Sequence, residues 1–387
     1  MRFASGGDAR DSDVGVLDGK GAYMLAIGLM SGTSLDGIDA ALIETDGQRA
    51  VRHVAFRGEP YSDVARAQLA AATALALTYP RPRASPPLVE AAALITRTHA
   101  MAVQKLLRDA GATPDEIGVI GFHGQTVAHR PDRRWTWQIG DGQVLADVTG
   151  IRTVADFRSA DVAAGGPGAP LLPIYHAALA AVLDGAVAIL NLGGVANITL
   201  IENGEAIAAF DTGPANGLID SWVEQESGAR FDKDGALAAA GRVDETVLTA
   251  MLDHPFFDAP YPKSLDRNDF TVQPARGLSA ADGAATLTAF TAASVAQALT
   301  LLPVAPRRLL VAGGGRHNPT MVRMIANRTG LLPEPVDALG WHGDGLEAEG
   351  FAYMAVRTLA GLPISFPGTT GVPRALPGGT VFTPTTG

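Results

Sequence analysis

The chain has 387 residues, 47% of them hydrophobic, which is enough for a large core in two or three domains or in one fold with two lobes. Its formal net charge of -10 argues against nucleic acid or an acidic membrane surface as the main partner. The sequence has no cysteine, which excludes a disulfide framework, a thiolate zinc site and a cysteine nucleophile and fits a reducing compartment.

The N-terminal residues 1–23 are polar and rich in glycine and aspartate, so we expect a disordered extension and a fold that begins at Met24. No uninterrupted apolar run in the sequence reaches membrane-spanning length. The best candidate, 176–196, is interrupted by Asp184 and Asn191. We therefore expect no membrane partner.

Short apolar runs that lead into glycine recur along the chain and predict buried strands. In chain order they are YMLAIGLM, IGVIGFHG, AVAILNLGG and RRLLVAGGG. Ala-rich stretches of helical character lie between them, at Leu88–Gly111 and Asp282–Leu299. This alternation predicts an α/β fold, in which ligands bind at the carboxyl ends of the strands. The Pro- and Arg-rich segment Tyr79–Leu88 predicts a surface connection, and 363–387 has too many prolines and glycines for a helix, so we expect a coil tail.

Two distant strand ends resemble each other. AIGLMSGTS near the start and AILNLGGVANIT near the middle are both buried strands that lead into small polar residues. A duplicated lobe with a ligand between the halves would produce this pattern, and chance similarity of short strands is the alternative.

The first of these ends, GLMSGTSLDGIDAAL, is unusually dense in functional groups for a turn. Its glycines permit close backbone approach, and a loop of this kind can cradle phosphates through backbone N–H groups. Asp36 or Asp39 could hold Mg²⁺ with carboxylate oxygens. The Walker A pattern is absent from the sequence, and the alternative is a plain hairpin with Asp39 on a solvated face.

Two further segments each allow a structural and a functional interpretation. The three glycines of VAGGGRHNP can admit a flat adenosine or can make a tight crossover. In AFDTGPANGLIDSW, Asp211 can cap the following helix or can project into a cleft as a general base.

The remaining polar segments are TVADFRSADVAAGGPGAPLLP and GFHGQTVAHRP. Arg158 lies between Asp156 and Asp161, so it either forms an internal salt bridge or clamps a substrate carboxylate. His123 lies between glycines after a strand, which is more typical of a hydrogen-bonded structural group than of a catalytic one. Zinc-protease, hydrolase-elbow and dinucleotide-binding motifs are all absent from the sequence.

Taken together, eight segments resemble the anhydro-N-acetylmuramic acid kinase family and occur in its order from about Met24 to about Leu362. They include GLMSGTSLDGIDAAL, QIGDGQVLADVTGIRTVADFRSADVAAGGPGAPLLP, LNLGGVANIT, FDTGPANGLIDSW and VAGGGRHNPTMVRMI. The resemblance implies a two-lobed actin-like ATPase fold, made of duplicated ribonuclease H-like lobes with ATP and sugar in the cleft. Lobe I would be 24–150 with a helix near 346–362, and lobe II would be 151–345.

The resemblance also implies an activity. The family phosphorylates 1,6-anhydro-N-acetylmuramic acid and opens its anhydro ring, giving N-acetylmuramic acid 6-phosphate and ADP in peptidoglycan recycling and amino-sugar metabolism. The implied cofactors are ATP and Mg²⁺, the implied location is cytoplasmic, and a homodimer is expected because the family is often dimeric.

Residue roles follow from matching positions to the family pattern. Asp211 matches the catalytic base, and Asp36 and Asp39 are assigned to Mg²⁺. The implied sugar-binding residues are Gln125, Arg158, Asp161, Asn216 and Glu347. The implied ATP-binding residues are Ser31, Gly32, Thr33, Ser34, Leu35, Asp36, Gly37, Ile38, Gly193, Gly194, Asn197, Gly313, Gly314 and Gly315. Pro167 stands where the family pattern has glutamine, which puts a substrate contact at that position in doubt.

One base suffices for this chemistry. The anhydro sugar has no free 6-hydroxyl, so a water must attack C1 while the C1–O6 bond breaks, as in inverting glycoside hydrolysis. The γ-phosphoryl group then takes the place of the acid, because O6 attacks phosphorus as it leaves carbon. Three alternatives stay open: a kinase of another sugar, an ATP-dependent switch like Hsp70 or actin, and a glycoside hydrolase with paired carboxylates.

Overall fold

A computed structural model of the chain describes residues 23–265 and 269–385. The predicted N-terminal extension lies outside the described residues except for Tyr23. The strands are β1 (Met24–Ser31), β2 (Gly37–Thr45), β3 (Val51–Pro60), β4 (Ile117–Arg130), β5 (Trp135–Ile139), β6 (Thr153–Ala155), β7 (Val187–Leu192), β8 (Val195–Glu202), β9 (Glu205–Pro214), β10 (Arg308–Ala312), β11 (Pro333–Pro335) and β12 (Thr380–Phe382).

Helices cover most of the chain between the strands. They are α1 (Asp63–Leu77), α2 (Pro86–Ala110), α3 (Gly142–Thr149), α4 (Ser159–Ala163), α5 (Pro173–Ala180), α6 (Asn216–Ser227), α7 (Ala236–Ala240), α8 (Glu245–Leu252), α9 (Pro255–Asp258), α10 (Ala280–Thr300), α11 (Pro319–Thr329), α12 (Leu346–Leu359) and α13 (Pro367–Thr370). Short 3₁₀ turns lie at Pro114–Glu116, Pro131–Arg133, Lys233–Gly235, Gln273–Ala275, Gly314–His317 and Val336–Leu339.

The strands form two sheets of the same topology. The first has the order β12-β6-β4-β1-β2-β3, with β5 added to β4, and the second has the order β11-β10-β7-β8-β9. In each sheet three antiparallel strands, β1–β3 or β7–β9, continue into two parallel ones, β4 and β6 or β10 and β11. The repeated order confirms the prediction of two duplicated α/β lobes.

The two long predicted helices are also confirmed. The helix α2 begins with two prolines in its first turn, where a missing N–H costs nothing, and ends at Gly111 in the left-handed region with φ 65°. The side chain of Ser279 caps α10 by accepting the N–H of Asp282. The segment between α1 and α2 is the predicted surface connection.

The helix α12 packs directly on the first sheet. A Cβ added to Gly28 of β1 would lie 1.7 Å from the carbonyl oxygen of Ala348, and one added to Gly121 of β4 would lie 2.0 Å from that of Phe351. Only glycine therefore allows the helix backbone to approach these two strands this closely. Buried residues of α12, β1, β7 and β10 share one hydrophobic cluster, so this helix also links the two lobes.

Two expected boundaries differ from the structure. Strand β6, placed in lobe II by the sequence, pairs in parallel with β4 and so belongs to the first sheet. The segment 363–387 is not a coil tail over its described part, since it holds α13 and then β12, which pairs antiparallel with β6. Its proline and glycine content excludes a long helix but not a strand of three residues, which depends on a tertiary partner. Among the described residues no helix is long and apolar enough to cross a membrane.

Candidate active site

The first glycine loop is the hairpin turn 32–36 between β1 and β2. It is held from behind by Gln125, whose Oε1 accepts a hydrogen bond from Ser31 Oγ at 2.6 Å and whose Nε2 donates to the Gly32 carbonyl at 3.2 Å. Thr33 and Ser34 are exposed at the tip of the turn. Gln125 is fully buried and anchors this loop, so the structure gives it a partner other than the expected sugar.

The predicted loop is longer than the turn that the structure shows. Gly37 and Ile38 belong to β2, and a Cβ on Gly37 would lie 2.4 Å from the Glu59 carbonyl of β3. The side chains of Ser31, Leu35 and Ile38 are buried. The exposed side chains of this segment are therefore confined to the turn.

The second glycine loop, Gly193–Gly194, joins β7 to β8 and is tied to the start of α6. The Gly193 carbonyl accepts the N–H of Asn216, and the Gly194 carbonyl accepts those of Ala215 and Gly217, all at 3.0 to 3.1 Å. The Asn216 side chain donates to the Leu192 carbonyl at 2.9 Å. Asn216 thus supports the second glycine loop, whereas the resemblance implied a sugar contact.

The third glycine turn, Gly313–Gly315, follows β10 and packs against Asn191 and Leu192 at the end of β7. Gly313 has φ 74°, and a Cβ there would lie 2.4 Å from Asn191 Oδ1. Arg316 fixes this turn because its guanidinium donates to the Gly313 carbonyl, to Asp337 and to Asp344 at 2.7 to 3.1 Å. Gly314 is exposed while Gly315 is buried, so the turn presents Gly314 to a ligand.

A row of polar side chains crosses the second sheet. Cross-strand register pairs Asn191 of β7 with Asn197 of β8, and Asn197 with Asp211 of β9. Asn191 Nδ2 also donates to Glu347 Oε1 of α12 at 3.2 Å. Asn191 was missed as a site residue, although a polar residue inside the apolar run AVAILNLGG was visible in the sequence.

Asp211 is positioned by a β-bulge in β9 and by a hydrogen bond from Leu265. Asn197 and Ala196 are adjacent in β8 but pair with Asp211 and Gly213, so Thr212 is the extra residue of β9. The Asp211 carboxylate accepts the Leu265 N–H at 2.8 Å. Burial nevertheless raises the pKa of Asp211 to about 7, and the Leu265 N–H opposes this shift. A carboxylate with this pKa is suited to general base catalysis near neutral pH.

Glu347 and Arg158 lie near enough to each other to affect each other's ionisation. Burial raises the pKa of Glu347, while the nearby Arg158 and the amide of Asn191 oppose that rise. Burial lowers the pKa of Arg158, opposed by Glu347 and Asp161. Asp161 is 1% exposed and its Oδ1 accepts the Gly168 N–H at 2.7 Å. Asp161 therefore holds the Gly165–Gly168 loop, and the Pro167 carbonyl of that loop accepts a hydrogen bond from His129 at 2.8 Å.

The two aspartates assigned to Mg²⁺ differ in their surroundings. Burial, followed by the charges of Glu347, Asp344 and Asp36, raises the pKa of Asp39 to about 7. A cation would relieve this crowding of negative charge, so Asp39 fits a divalent ion. Asp36 is well exposed and pairs with Arg66 at 3.3 Å. Within the described residues no group of three or more acidic or histidine side chains could hold a metal alone, so phosphate oxygens would have to complete the coordination.

A sequence model of the anhydro-N-acetylmuramic acid kinase family matches residues 24–384. The chain belongs to the anhydro-N-acetylmuramic acid kinase family. Family members are phosphotransferases with an alcohol acceptor, and the chain is an enzyme of this class. The match extends through the C-terminal segment that the structure places in the first sheet.

Curated relatives of this kinase cover nearly its whole length. The anhydro-N-acetylmuramic acid kinase of Rhizorhabdus wittichii is 65% identical over 362 residues, which are 93% of this chain and 99% of that protein. The protein of the same name from Zymomonas mobilis is 51% identical over 362 residues, 92% of this chain and 99% of that protein.

Solved structures are similar at much lower identity. Component A of the Acidaminococcus fermentans (R)-2-hydroxyglutaryl-CoA dehydratase has 12% identity and a TM-score of 0.46, and the alignment covers 87% of this chain and 99% of that one. A glucokinase of the ROK family from Streptomyces griseus, in complex with glucose and AMPPNP, has 14% identity and a TM-score of 0.37 over 86% of this chain and 99% of that one.

Proposed function

We propose that this kinase opens the 1,6-anhydro ring of anhydro-N-acetylmuramic acid with water and transfers the γ-phosphoryl group of ATP to O6, giving N-acetylmuramic acid 6-phosphate and ADP. The observation that carries the proposal is Asp211, a carboxylate with a pKa of about 7 on the same face of the second sheet as Asn197 and Asn191. The Asn191 amide connects this row to Glu347.

In the proposed reaction Asp211 takes a proton from the water that attacks C1. The C1–O6 bond breaks, and O6 forms its bond to the γ-phosphorus while the bond from that phosphorus to the β-γ bridging oxygen breaks, which leaves ADP. Glu347 and Arg158 would bind and orient the sugar, because they are partly buried side chains of opposite charge that influence each other's ionisation. Glu347 lies in the first turn of α12, and Arg158 directly precedes α4. No second carboxylic acid is needed, since phosphorus receives the leaving oxygen.

The nucleotide would lie across the three glycine turns. Thr33, Ser34 and Gly194 are the open positions of the first two turns, and an added Cβ on Gly194 would meet nothing within 4 Å. Gly314 is the open position of the third turn. Asp39 would hold Mg²⁺, which neutralises phosphate charge when it is bound. A cytoplasmic location, a homodimer and a role in peptidoglycan recycling remain predictions from the family.

The pH dependence of the kinase should report the ionisation of Asp211. A general base works only when it is deprotonated, and the pKa of Asp211 is raised to about 7, so activity should fall as the pH drops through this value. We expect kcat/KM for the sugar to be half-maximal near pH 7 and to fall about tenfold per pH unit below it. The residual activity of Asp211→Asn should lack this dependence between pH 5 and 8. Persistence of the same acidic limb in the variant would assign it to another group.

An isotope experiment tests the chemistry itself. The kinase is incubated with Mg-ATP, the anhydro sugar and ¹⁸O-water, and the product is analysed by mass spectrometry and by phosphorus NMR, with a parallel reaction in ordinary water as control. We expect ¹⁸O at C1 and phosphate on O6 in the same molecule. Phosphate without label at C1 would mean ordinary kinase chemistry. Label without phosphate would mean a glycoside hydrolase, and ADP without a sugar product would mean an ATP-dependent switch.

A further inference from the structure

His123 lies at an irregularity of β4 beside the first glycine loop. Leu29 and Ser31 of β1 are two residues apart, but their partners in β4, Phe122 and Gln125, are three apart. Gly124 takes up the extra residue with φ 71°, and a Cβ there would lie 2.6 Å from the Ile139 carbonyl. Bulges next to active sites commonly re-aim a side chain. Here the bulge sets the direction of His123, which is 4% exposed.

The hydrogen bonds of His123 define one tautomer. Arg158 Nε lies 3.0 Å from His123 Nε2, and a guanidinium can only donate, so Nε2 is the acceptor. His123 Nδ1 therefore carries the proton and donates to the Gly124 carbonyl at 2.9 Å. Both ring nitrogens are thus satisfied by the neutral imidazole. Burial and then the charge of Arg158 lower the pKa of His123 well below its usual value, which keeps the acceptor available.

Arg158 is held at two of its three guanidinium nitrogens. Nε is held by His123, and Nη1 donates to the Gly168 carbonyl at 2.7 Å. Nη2 makes no hydrogen bond with the described residues. The guanidinium also lies 5.9 Å from the ring centre of Phe351, whose ring centre is 4.7 Å from that of His123. Phe351 is one helical turn after Glu347 on α12 and so lies on the same helix face. These contacts leave Nη2 as the nitrogen available to a ligand.

We propose that His123 is a positioning residue of the kinase, whose neutral imidazole accepts the Nε–H of Arg158 and so orients the remaining N–H groups of the guanidinium toward an anionic or hydroxyl oxygen of the sugar. The proposal rests on the proposed sugar-binding role of Arg158. It does not make His123 a catalytic residue, because the imidazole touches Arg158 and the Gly124 carbonyl rather than a reacting atom.

A double-mutant cycle tests this proposal. The variants are His123→Ala, Arg158→Ala and the double variant, and kcat and KM are measured for both the anhydro sugar and ATP. A hydrogen bond to a charged group contributes about 1.5–3 kcal/mol, so His123→Ala should lower kcat/KM for the sugar roughly 10- to 100-fold with little change in KM for ATP. In the Arg158→Ala background the same change should cost less than about twofold, because the group it positions is gone.

Two further variants separate positioning from a general structural effect. His123→Gln retains an acceptor oxygen and should recover most of the activity, whereas His123→Phe fills the space without an acceptor and should not. The matched control is His176→Ala. His176 is 4% exposed, as His123 is, but its ring forms a hydrogen bond with the Thr199 hydroxyl of the second sheet. This control should leave the kinetics for the sugar unchanged even if it lowers the melting temperature.

The outcomes distinguish the sugar-binding role of Arg158 from the positioning role of His123. If Arg158→Ala leaves the kinetics for the sugar unchanged, the sugar-binding role of Arg158 is wrong and the role of His123 falls with it. If Arg158→Ala impairs the sugar but the effect of His123→Ala is equally large in both backgrounds, only the positioning role is wrong. Should His123→Ala fail to fold, the comparison of His123→Phe with His123→Gln gives the same decision.

Discussion

Asp211→Asn is expected to keep the fold of the kinase and to lower kcat by roughly 10²–10⁴-fold, the usual contribution of a positioned general base. This corresponds to about 3–5 kcal/mol in the activation barrier. Asparagine is nearly the same size as aspartate and retains an oxygen that can accept the Leu265 N–H, so the local structure should persist. What it lacks is a site that can take a proton from water.

The control for this variant is Asp244→Asn in the same lobe. Asp244 caps α8 by accepting the N–H groups of Thr246 and Val247, and asparagine caps helices as well as aspartate does. Steady-state turnover and circular dichroism spectra of both variants should be compared with those of the wild type. Near-wild-type turnover of Asp211→Asn would remove Asp211 from the role of base.

Although Asp211→Asn should lower the activity, it should raise the stability of the folded chain above neutral pH. The pKa of Asp211 is about 7 in the folded chain against 3.8 for an ordinary aspartate, so ionisation of Asp211 is less favourable in the fold than in the unfolded chain. The protonated carboxyl therefore contributes fully to the free energy of unfolding below pH 3.8, and this contribution is lost as the pH rises from 3.8 through about 7. At pH 8 Asp211→Asn should therefore melt at a higher temperature than the wild type, while at pH 4 the difference should be small. A lower melting temperature at pH 8 would contradict the raised pKa.

Much of the fold follows from local sequence patterns. Runs such as YMLAIGLM and RRLLVAGGG predict strands because they are apolar, short and bounded by glycine, and α2 and α10 follow from helical spacing of apolar residues. Strands β6 and β12 could not be predicted in the same way. Each has three residues, and each exists because it pairs with a neighbour that is distant in sequence.

The sequence indicates those parts of the candidate site in which a motif marks the end of a strand. It does not indicate contacts between residues that come from different strands or from a strand and a helix. The first turn, Asp211 and Gly313–Gly315 stand out in the sequence or in its family resemblance. The contact of Asn191 with Glu347 depends on how α12 lies against β7, which no linear pattern shows. The role of Gln125 is likewise not visible in the sequence. The parallel pairing of β1 with β4 places Gln125 beside Ser31, and their hydrogen bond lets Gln125 anchor the first loop.

Gly121→Ala is expected to destabilise the fold strongly although it adds only one methyl group. A Cβ at Gly121 would lie 2.0 Å from the Phe351 carbonyl oxygen and 2.6 Å from its carbon, both in the backbone of α12. A helix backbone cannot move aside as a side chain can, so α12 has to shift as a unit. Overpacking of a core costs about 1–3 kcal/mol, and we expect about 3 kcal/mol here.

Gly118→Ala in the same strand is the matched control, because the three atoms nearest to an added Cβ there all belong to the flexible side chain of Met24. Urea-induced unfolding should show a much lower midpoint for Gly121→Ala than for Gly118→Ala. Since α12 carries Glu347 and Phe351, displacement of the helix should also lower kcat/KM for the sugar in Gly121→Ala, even under conditions where that variant is fully folded. Equal unfolding midpoints for the two variants would mean that α12 is not held against β4 as the structure shows, and the placement of Glu347 beside Asn191 would lose its support.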